Sequence, residues 1–171
     1  MFGDSIVSNV RKKEMERYVK HKVSIKAFGG ATAADMETYV KPTLERTEKT
    51  DIAIIHVGTN DVSNIFRSKN NNHSSSKEIA ETIINSGKIC KDRGVKCVVI
   101  SSLIKRKGKT AAKIAEVNNL LEKYAHGNGF HFINHKNVGN DQNDLARDGL
   151  HLNMKGTRKL ANNLINKINE L

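Results

Sequence analysis

Residues 51–61 read Asp51-Ile52-Ala53-Ile54-Ile55-His56-Val57-Gly58-Thr59-Asn60-Asp61. A strand wet on one face alternates apolar and polar side chains, whereas this one is apolar at almost every position and needs cover on both faces. It stops at Gly58 and Asn60-Asp61, residues that favour turns. Working outward, Val95–Leu103 has the same character, Phe130–Ile133 is shorter, and Val23–Ala27 alternates as a strand. Helical periodicities fill the gaps: Ile6–Val19, Thr32 toward Thr47 with a break or kink expected at Pro42, Ser75 to about Arg93, Thr110–Ala125 and Met154–Ile168. Thr32 with Asp35 and Ser75 with Glu78 have capping-box spacing, and Asn153 is placed to cap the last helix. Ser63–Ser76, with three consecutive asparagines, reads as a polar loop. Strands alternating with helices predict an α/β fold of three α/β/α layers around a doubly wound, flavodoxin-like parallel sheet, with ligands at the carboxyl ends of the strands.

The 171 residues suit one domain, and 37% hydrophobic side chains suffice for a core. No apolar run approaches the ~18–20 residues of a membrane span, and the start is not a signal peptide, so an intracellular, cytoplasmic protein is expected. Cys90 and Cys97 are too few for a disulfide framework and are read as reduced and structural. The sequon Asn72-His73-Ser74 is read as chance in a chain with 19 asparagines.

The formal charge is +11, from 29 Lys or Arg and 18 Asp or Glu. It is unevenly spread: residues 1–85 carry +2 and residues 86–171 carry +9, with nine basic and one acidic side chain in 86–113. A lysine- and asparagine-rich composition explains a solvating surface, but not such a cluster, which creates a field attractive to anions. With Phe, Tyr and Trp at 5% and no Trp, the stacking platform of a single-strand nucleic-acid binder is missing.

Several chemically competent residues fall at the predicted carboxyl edge. Ser5 follows Gly3-Asp4 where a first strand would pass into a helix, a suitable place for a nucleophile, although alone such a serine is more often an N-cap. Gly30 and Asn60 follow the second and third strands; with the Ser5 N–H they could supply three donors for an oxyanion, or simply turn chemistry. Asp148-Gly149-Leu150-His151 lies before the last helix, with a spacing that lets Asp148 hold His151 Nδ1 and leaves Nε2 to take a serine proton. Taken singly, this pair could merely tie down a loop. Asp4 and Asp61 are expected to fix their turns, and His56 to be a hydrogen-bonded core residue. His21, His73, His126, His131 and His135 share no ligand spacing with cysteines or carboxylates, so no metal is predicted.

Gly3-Asp4-Ser5-Ile6, Gly30, Gly58-x-Asn60-Asp61 and Asp148-x-x-His151 stand in the order and context of the SGNH (GDSL-type) hydrolase superfamily, which the chain resembles over essentially its whole length. The resemblance implies a sheet of order 2-1-3-4-5, a Ser5–His151–Asp148 triad, an oxyanion hole of Ser5, Gly30 and Asn60, a small-molecule or lipid ester as substrate, and no cofactor. The wording of residues 54–61 resembles intracellular esterase-like domains of invertebrate and transposon-derived proteins. Two departures stand out. Only Met1 and Phe2 precede Gly3, so the central first strand is expected to be short and residues 1–171 to be one domain cut from a longer protein or begun late. Ser101-Ser102-Leu103-Ile104 stands where many relatives have a proline. Lys105, Arg106, Lys107 and Lys109 follow the fourth strand and are expected to rim the catalytic mouth, favouring anionic esters; a non-catalytic module using this basic loop on nucleic acid, anionic lipid or an acidic partner is the alternative.

Overall fold

The computed structural model describes residues 1–47, 49–67, 74–105 and 108–171. Five strands, β1 (Phe2–Gly3), β2 (Lys26–Ala27), β3 (Ile52–His56), β4 (Cys97–Ser101) and β5 (His131–Ile133), form one sheet of order β2-β1-β3-β4-β5. All pairings are parallel; Phe2 and Gly3 face Lys26 and Ala27 on one side and Ile55 and His56 on the other. The helices are α1 (Lys12–Met15), α2 (Ala33–Glu45), α3 (Thr59–Arg67), α4 (Ser76–Asp92), α5 (Thr110–Gly127) and α6 (Met154–Glu170).

Side-chain alternation divides the strands between two cores. Ala53, Ile55, Val98 and Ile100 pack with Met36 and Val40 of α2, Ile79 and Ile83 of α4, and Leu121 of α5. Ile54, Val99 and Ile133 point the other way, onto Ile6, Val7, Met15 and the Leu160, Leu164, Ile168 stripe of α6. Both faces are thus covered, which is why β3 and β4 are apolar at successive positions. The paired caps form as expected: Thr32 N–H donates to Asp35 (2.9 Å), Ser75 N–H to Glu78 (2.6 Å), and each cap hydroxyl accepts the return bond. Asn153 Oδ1 accepts the N–H groups of Lys155 and Gly156, capping α6.

Four local expectations are corrected. Ile6–Val19 is a 3₁₀ turn at Ser5–Val7 followed by the single turn α1, not one helix. Ser8 interrupts it by turning its hydroxyl back onto the Ser5 carbonyl (2.7 Å), the competition that makes serine a poor helix-interior residue. The second strand pairs only at Lys26–Ala27, because its sole partner, β1, is two residues long. α2 continues through Pro42, which lies with Thr38 on the exposed side, where water can satisfy the carbonyl that proline leaves without a donor. Finally, α3 occupies Thr59–Arg67, taking the first part of the expected loop; its buried residues include Val62 and Ser63, and the Ser63 hydroxyl donates to the Thr59 carbonyl (2.8 Å). No described helix is long and apolar enough to cross a membrane.

Candidate active site

Gly3 ends β1 under severe crowding: a Cβ there would lie 2.6 Å from Val7 Cγ2 and 2.8 Å from the His56 carbonyl oxygen. Only glycine lets the chain turn here so close to β3. The next residue, Asp4, is fully buried and bonded in both directions. Its Oδ1 accepts the Ile6 N–H (2.9 Å) and its Oδ2 accepts the Thr59 hydroxyl (2.7 Å), tying the exit of β1 to the start of α3. Ser5 is thereby held at the carboxyl end of β1, half-buried.

Ser5 Oγ lies 3.1 Å from His151 Nε2, and His151 Nδ1 lies 2.7 Å from Asp148 Oδ2. The second Asp148 oxygen accepts the N–H groups of Leu150 (2.9 Å) and His151 (3.0 Å). These bonds, the imidazole first among them, hold the Asp148 carboxyl well below the ordinary carboxylate range. An ionised Asp148 requires the imidazole proton on Nδ1 and turns the Nε2 lone pair toward Ser5. The histidine and aspartate side chains are 40% and 49% exposed, so the relay is open to a substrate.

Gly30 and Asn60 lie on the same edge. Gly30 has φ +75°, and nothing lies within 4 Å of the position a Cβ would take, so its backbone borders open space. Asn60 Nδ2 donates to the Ala31 carbonyl (2.9 Å), which orients the amide and leaves it a second N–H. Among the described residues, neither the Ser5 nor the Gly30 N–H donates to a protein acceptor. Asp61, in the first turn of α3, ties that helix to the start of α2 rather than fixing a turn of its own: both of its oxygens accept the Ala33 N–H (2.9 and 3.1 Å), and burial pushes its carboxyl up to about 6. Thus Ser5, His151 and Asp148 are in bonding contact, and the Gly30 loop is tied to α3 by Asn60 and Asp61.

A second serine–histidine cluster has no comparable access. His56 Nδ1 is 2.8 Å from Ser101 Oγ, which is 2.8 Å from His135 Nε2; His135 Nδ1 accepts from Asn163 Nδ2 (3.0 Å). His56, Ser101 and His135 are 0%, 1% and 3% exposed. Burial drives the His135 imidazole down to about 3, so it stays neutral. This chain braces β3 and β4 against the segment after β5, and Ser102 adds a bond by accepting the His135 N–H (2.9 Å). The expectation for His56 as a bonded core residue fits this environment. The parts played by His135 and Ser101 were missed, because neither carries a spacing signal; the only hint was polar Ser101-Ser102 at the end of a buried strand.

Lys105 lies after β4 and Lys109 precedes α5, while Arg106 and Lys107 fall outside the described residues, as do Asn72 and His73 of the sequon. Cys90 and Cys97 are free thiols; burial pushes Cys90 up to about 12, leaving it protonated and unreactive.

A doubly wound parallel sheet with an accessible Ser–His–Asp relay at its carboxyl edge defines a serine hydrolase on a flavodoxin-like scaffold. The chain belongs to the GDSL-like lipase/acylhydrolase family, whose sequence profile matches residues 1–159. Solved structures share its fold. A putative acylhydrolase from Bacteroides fragilis superposes with a TM-score of 0.80 at 17% identity over 99% of this chain and 85% of that one. A member of the lipolytic G-D-S-L family from Veillonella parvula gives 0.78 at 17% identity over 99% and 97%. An acetylxylan esterase from Geobacillus stearothermophilus gives 0.78 at 17% identity over 98% and 91%. No curated protein matches the sequence significantly.

Proposed function

We propose that residues 1–171 act as one hydrolase domain that cleaves carboxylic esters, acetyl or longer acyl, with Ser5 as nucleophile. The observation that carries this reading is the exposed Ser5–His151–Asp148 relay, at 3.1 and 2.7 Å. Ser5 Oγ attacks the ester carbonyl and its proton passes to His151 Nε2, while the ionised Asp148 stabilises the imidazolium. The Ser5 and Gly30 N–H groups and the Asn60 amide donate to the oxyanion, each worth about 10²–10³ in rate. Collapse expels the alcohol, which takes the proton from His151. Water, deprotonated by the same imidazole, then releases the acid and restores Ser5. No cofactor enters the cycle. In this reading Lys105 and Lys109 belong to the rim of the mouth.

Two measurements test it. A fluorophosphonate probe should label the wild type and not Ser5→Ala, and p-nitrophenyl acetate should be turned over by the wild type alone. Absence of both from folded wild-type protein would overturn the proposal. The +9 charge of residues 86–171 supports a second reading, a basic module that binds nucleic acid, anionic lipid or an acidic partner. Salt-steep nucleic-acid binding that survives Ser5→Ala, with no ester turnover, would favour it.

A further inference from the structure

Gly30 is fixed by what lies on either side of it. Before it, the Phe28 N–H donates to the Gly3 carbonyl (2.8 Å), fastening the end of β2 beside the turn that carries Ser5. The Ala31 N–H then closes a turn onto the Phe28 carbonyl (3.2 Å). After it, two consecutive residues of α3 grip the chain: Asn60 Nδ2 donates to the Ala31 carbonyl (2.9 Å), and Asp61 accepts the Ala33 N–H through both oxygens (2.9 and 3.1 Å). The loop that presents the Gly30 N–H is therefore hung from the same helical turn that presents the Asn60 amide. That turn is itself anchored beside Ser5, because the Thr59 hydroxyl donates to Asp4.

Ala33 is 1% exposed and opens α2, so its N–H needs a protein acceptor. The Thr32/Asp35 capping box serves the N–H groups of Thr32 and Asp35 and leaves this one. An asparagine at 61 would supply an oxygen with no charge to desolvate. Aspartate is the costly choice: burial pushes it up to about 6, and the charged groups acting on it, Asp4 from the turn after β1 and Asp35 from α2, share its sign. What it adds is a second acceptor. An asparagine NH₂ in the place of one oxygen would face the Ala33 N–H, donor against donor, and the amide would have to turn to keep a single bond. A carboxylate that burial disfavours, standing next to an oxyanion donor, serves the site rather than the stability of the fold.

We propose that Asp61 is a positioning residue of the oxyanion hole, its two-oxygen hold on the Ala33 N–H setting the Gly30 N–H against the Asn60 amide. It touches no reacting atom and acts through the loop. The inference rests on the ester-hydrolase reading of Ser5 and adds to that site a residue outside the relay and the three donors.

The test is kcat and KM for acetate release from p-nitrophenyl acetate at pH 8 and pH 5, with thermal unfolding at both. Asp61→Asn should lower kcat about tenfold at pH 8, a part of the 10²–10³ that a whole donor is worth, with KM little changed and no loss of melting temperature. A general weakening of the fold cannot produce that pair of results. At pH 5 a carboxyl titrating at about 6 is mostly protonated and, like asparagine, offers one full acceptor, so the wild-type advantage should shrink to about twofold. Any effect of pH on the Ser5–His151 relay is common to both proteins and cancels from this ratio. Asp61→Ala supplies a cycle: added to Asn60→Ala, which already frees the Ala31 carbonyl, it should cost no more than about threefold, against about tenfold or more alone. Equal kcat for the wild type and Asp61→Asn at pH 8, a ratio independent of pH, or additive costs in the cycle would overturn the proposal. The Ala33 amide shift, followed by NMR between pH 5 and pH 8, separates it from the reading it rests on. Turnover with any of those three results defeats the positioning role alone. No turnover from a wild type whose Ala33 shift titrates, while that of Asp61→Asn stays flat, defeats the hydrolase reading alone.

Discussion

Replacing Asp148 by asparagine reverses the polarity of the relay while sparing its scaffold. Asp148 does two jobs with two oxygens. Oδ1 accepts the backbone N–H groups of Leu150 and His151 at 2.9 and 3.0 Å, and Oδ2 accepts from His151 Nδ1 at 2.7 Å. The asparagine carbonyl can keep the first set, so the loop stays in place. Its NH₂ then faces Nδ1, which must become the acceptor, and the imidazole proton moves to Nε2. The 3.1 Å contact with Ser5 survives, but the histidine now donates in it and has no lone pair for the serine proton. Loss of the base by tautomer reversal costs roughly 10⁴ in kcat, with KM little changed.

The assay is kcat and KM for p-nitrophenyl acetate, with thermal unfolding as the control and imidazole ¹⁵N shifts reporting the tautomer. Asp148→Ala is the comparison: it leaves two backbone N–H groups without their acceptor, so it should lower the melting temperature as well as kcat. Asp148→Asn activity within tenfold of wild type, with the Nε2–H tautomer demonstrated, would refute the reasoning, because His151 would then not be the base.

Two further predictions concern buried titratable groups. The Asp61 carboxyl is raised to about 6 by burial, so between pH 4 and 6 the folded state holds a proton that the unfolded state has released. Its contribution therefore becomes unfavourable as pH rises through that window, by ~3 kcal/mol for a shift of about two units. In urea titrations, Asp61→Asn should gain on the wild type by that order between pH 4 and pH 7; a pH-independent difference would sink the assignment. His135, lowered to about 3, has the opposite sign: the unfolded state binds the extra proton below pH 6.5, so stability falls with acidity, by ~2 kcal/mol at pH 5. Asn163→Asp would put a carboxylate beside His135 Nδ1, raise its titration into the range of an ordinary histidine, and flatten the loss between pH 7 and pH 5; an NMR titration with no upward shift would contradict the network.

The legible parts of the fold were those fixed by local chemistry. The apolar run Ile52–Val57, the Thr32/Asp35 and Ser75/Glu78 pairs and the cap at Asn153 each have their cause within a few residues, and their elements appear within a few residues of the expected bounds. The misread segments depend on remote partners. The second strand is short because β1 is short, and α3 forms because Val62 and Ser63 find a core to bury in. The site was legible for a different reason. Its motifs lie in separate turns, and a parallel sheet brings every such turn to one edge. The His56–Ser101–His135–Asn163 chain had no such regularity: its four members come from β3, β4, a loop and α6, and only the folded chain brings them together.

An open relay needs its precision from elsewhere, since side chains 40–49% exposed are not held by packing. Two buried carboxylates supply it. Asp4 clamps the Ser5 turn to α3 through the Ile6 N–H and the Thr59 hydroxyl. Asp144, also fully buried, does the same for the segment carrying Asp148 and His151: it accepts from Lys159 Nζ (2.9 Å) and the Gly139 N–H (3.2 Å), and its carbonyl takes the Asn153 N–H (3.0 Å). Asn153 caps α6 and donates to the Asn143 and Leu145 carbonyls, so the loop before His151 is locked to the helix after it. Gly156 permits the approach, since a Cβ there would strike the Asp144 carbonyl. A buried side chain bonded to donors on two segments resists displacement far more than an exposed pair does. The Ser5, His151 and Asp148 side chains can therefore face water while the distances between them are set beneath the surface.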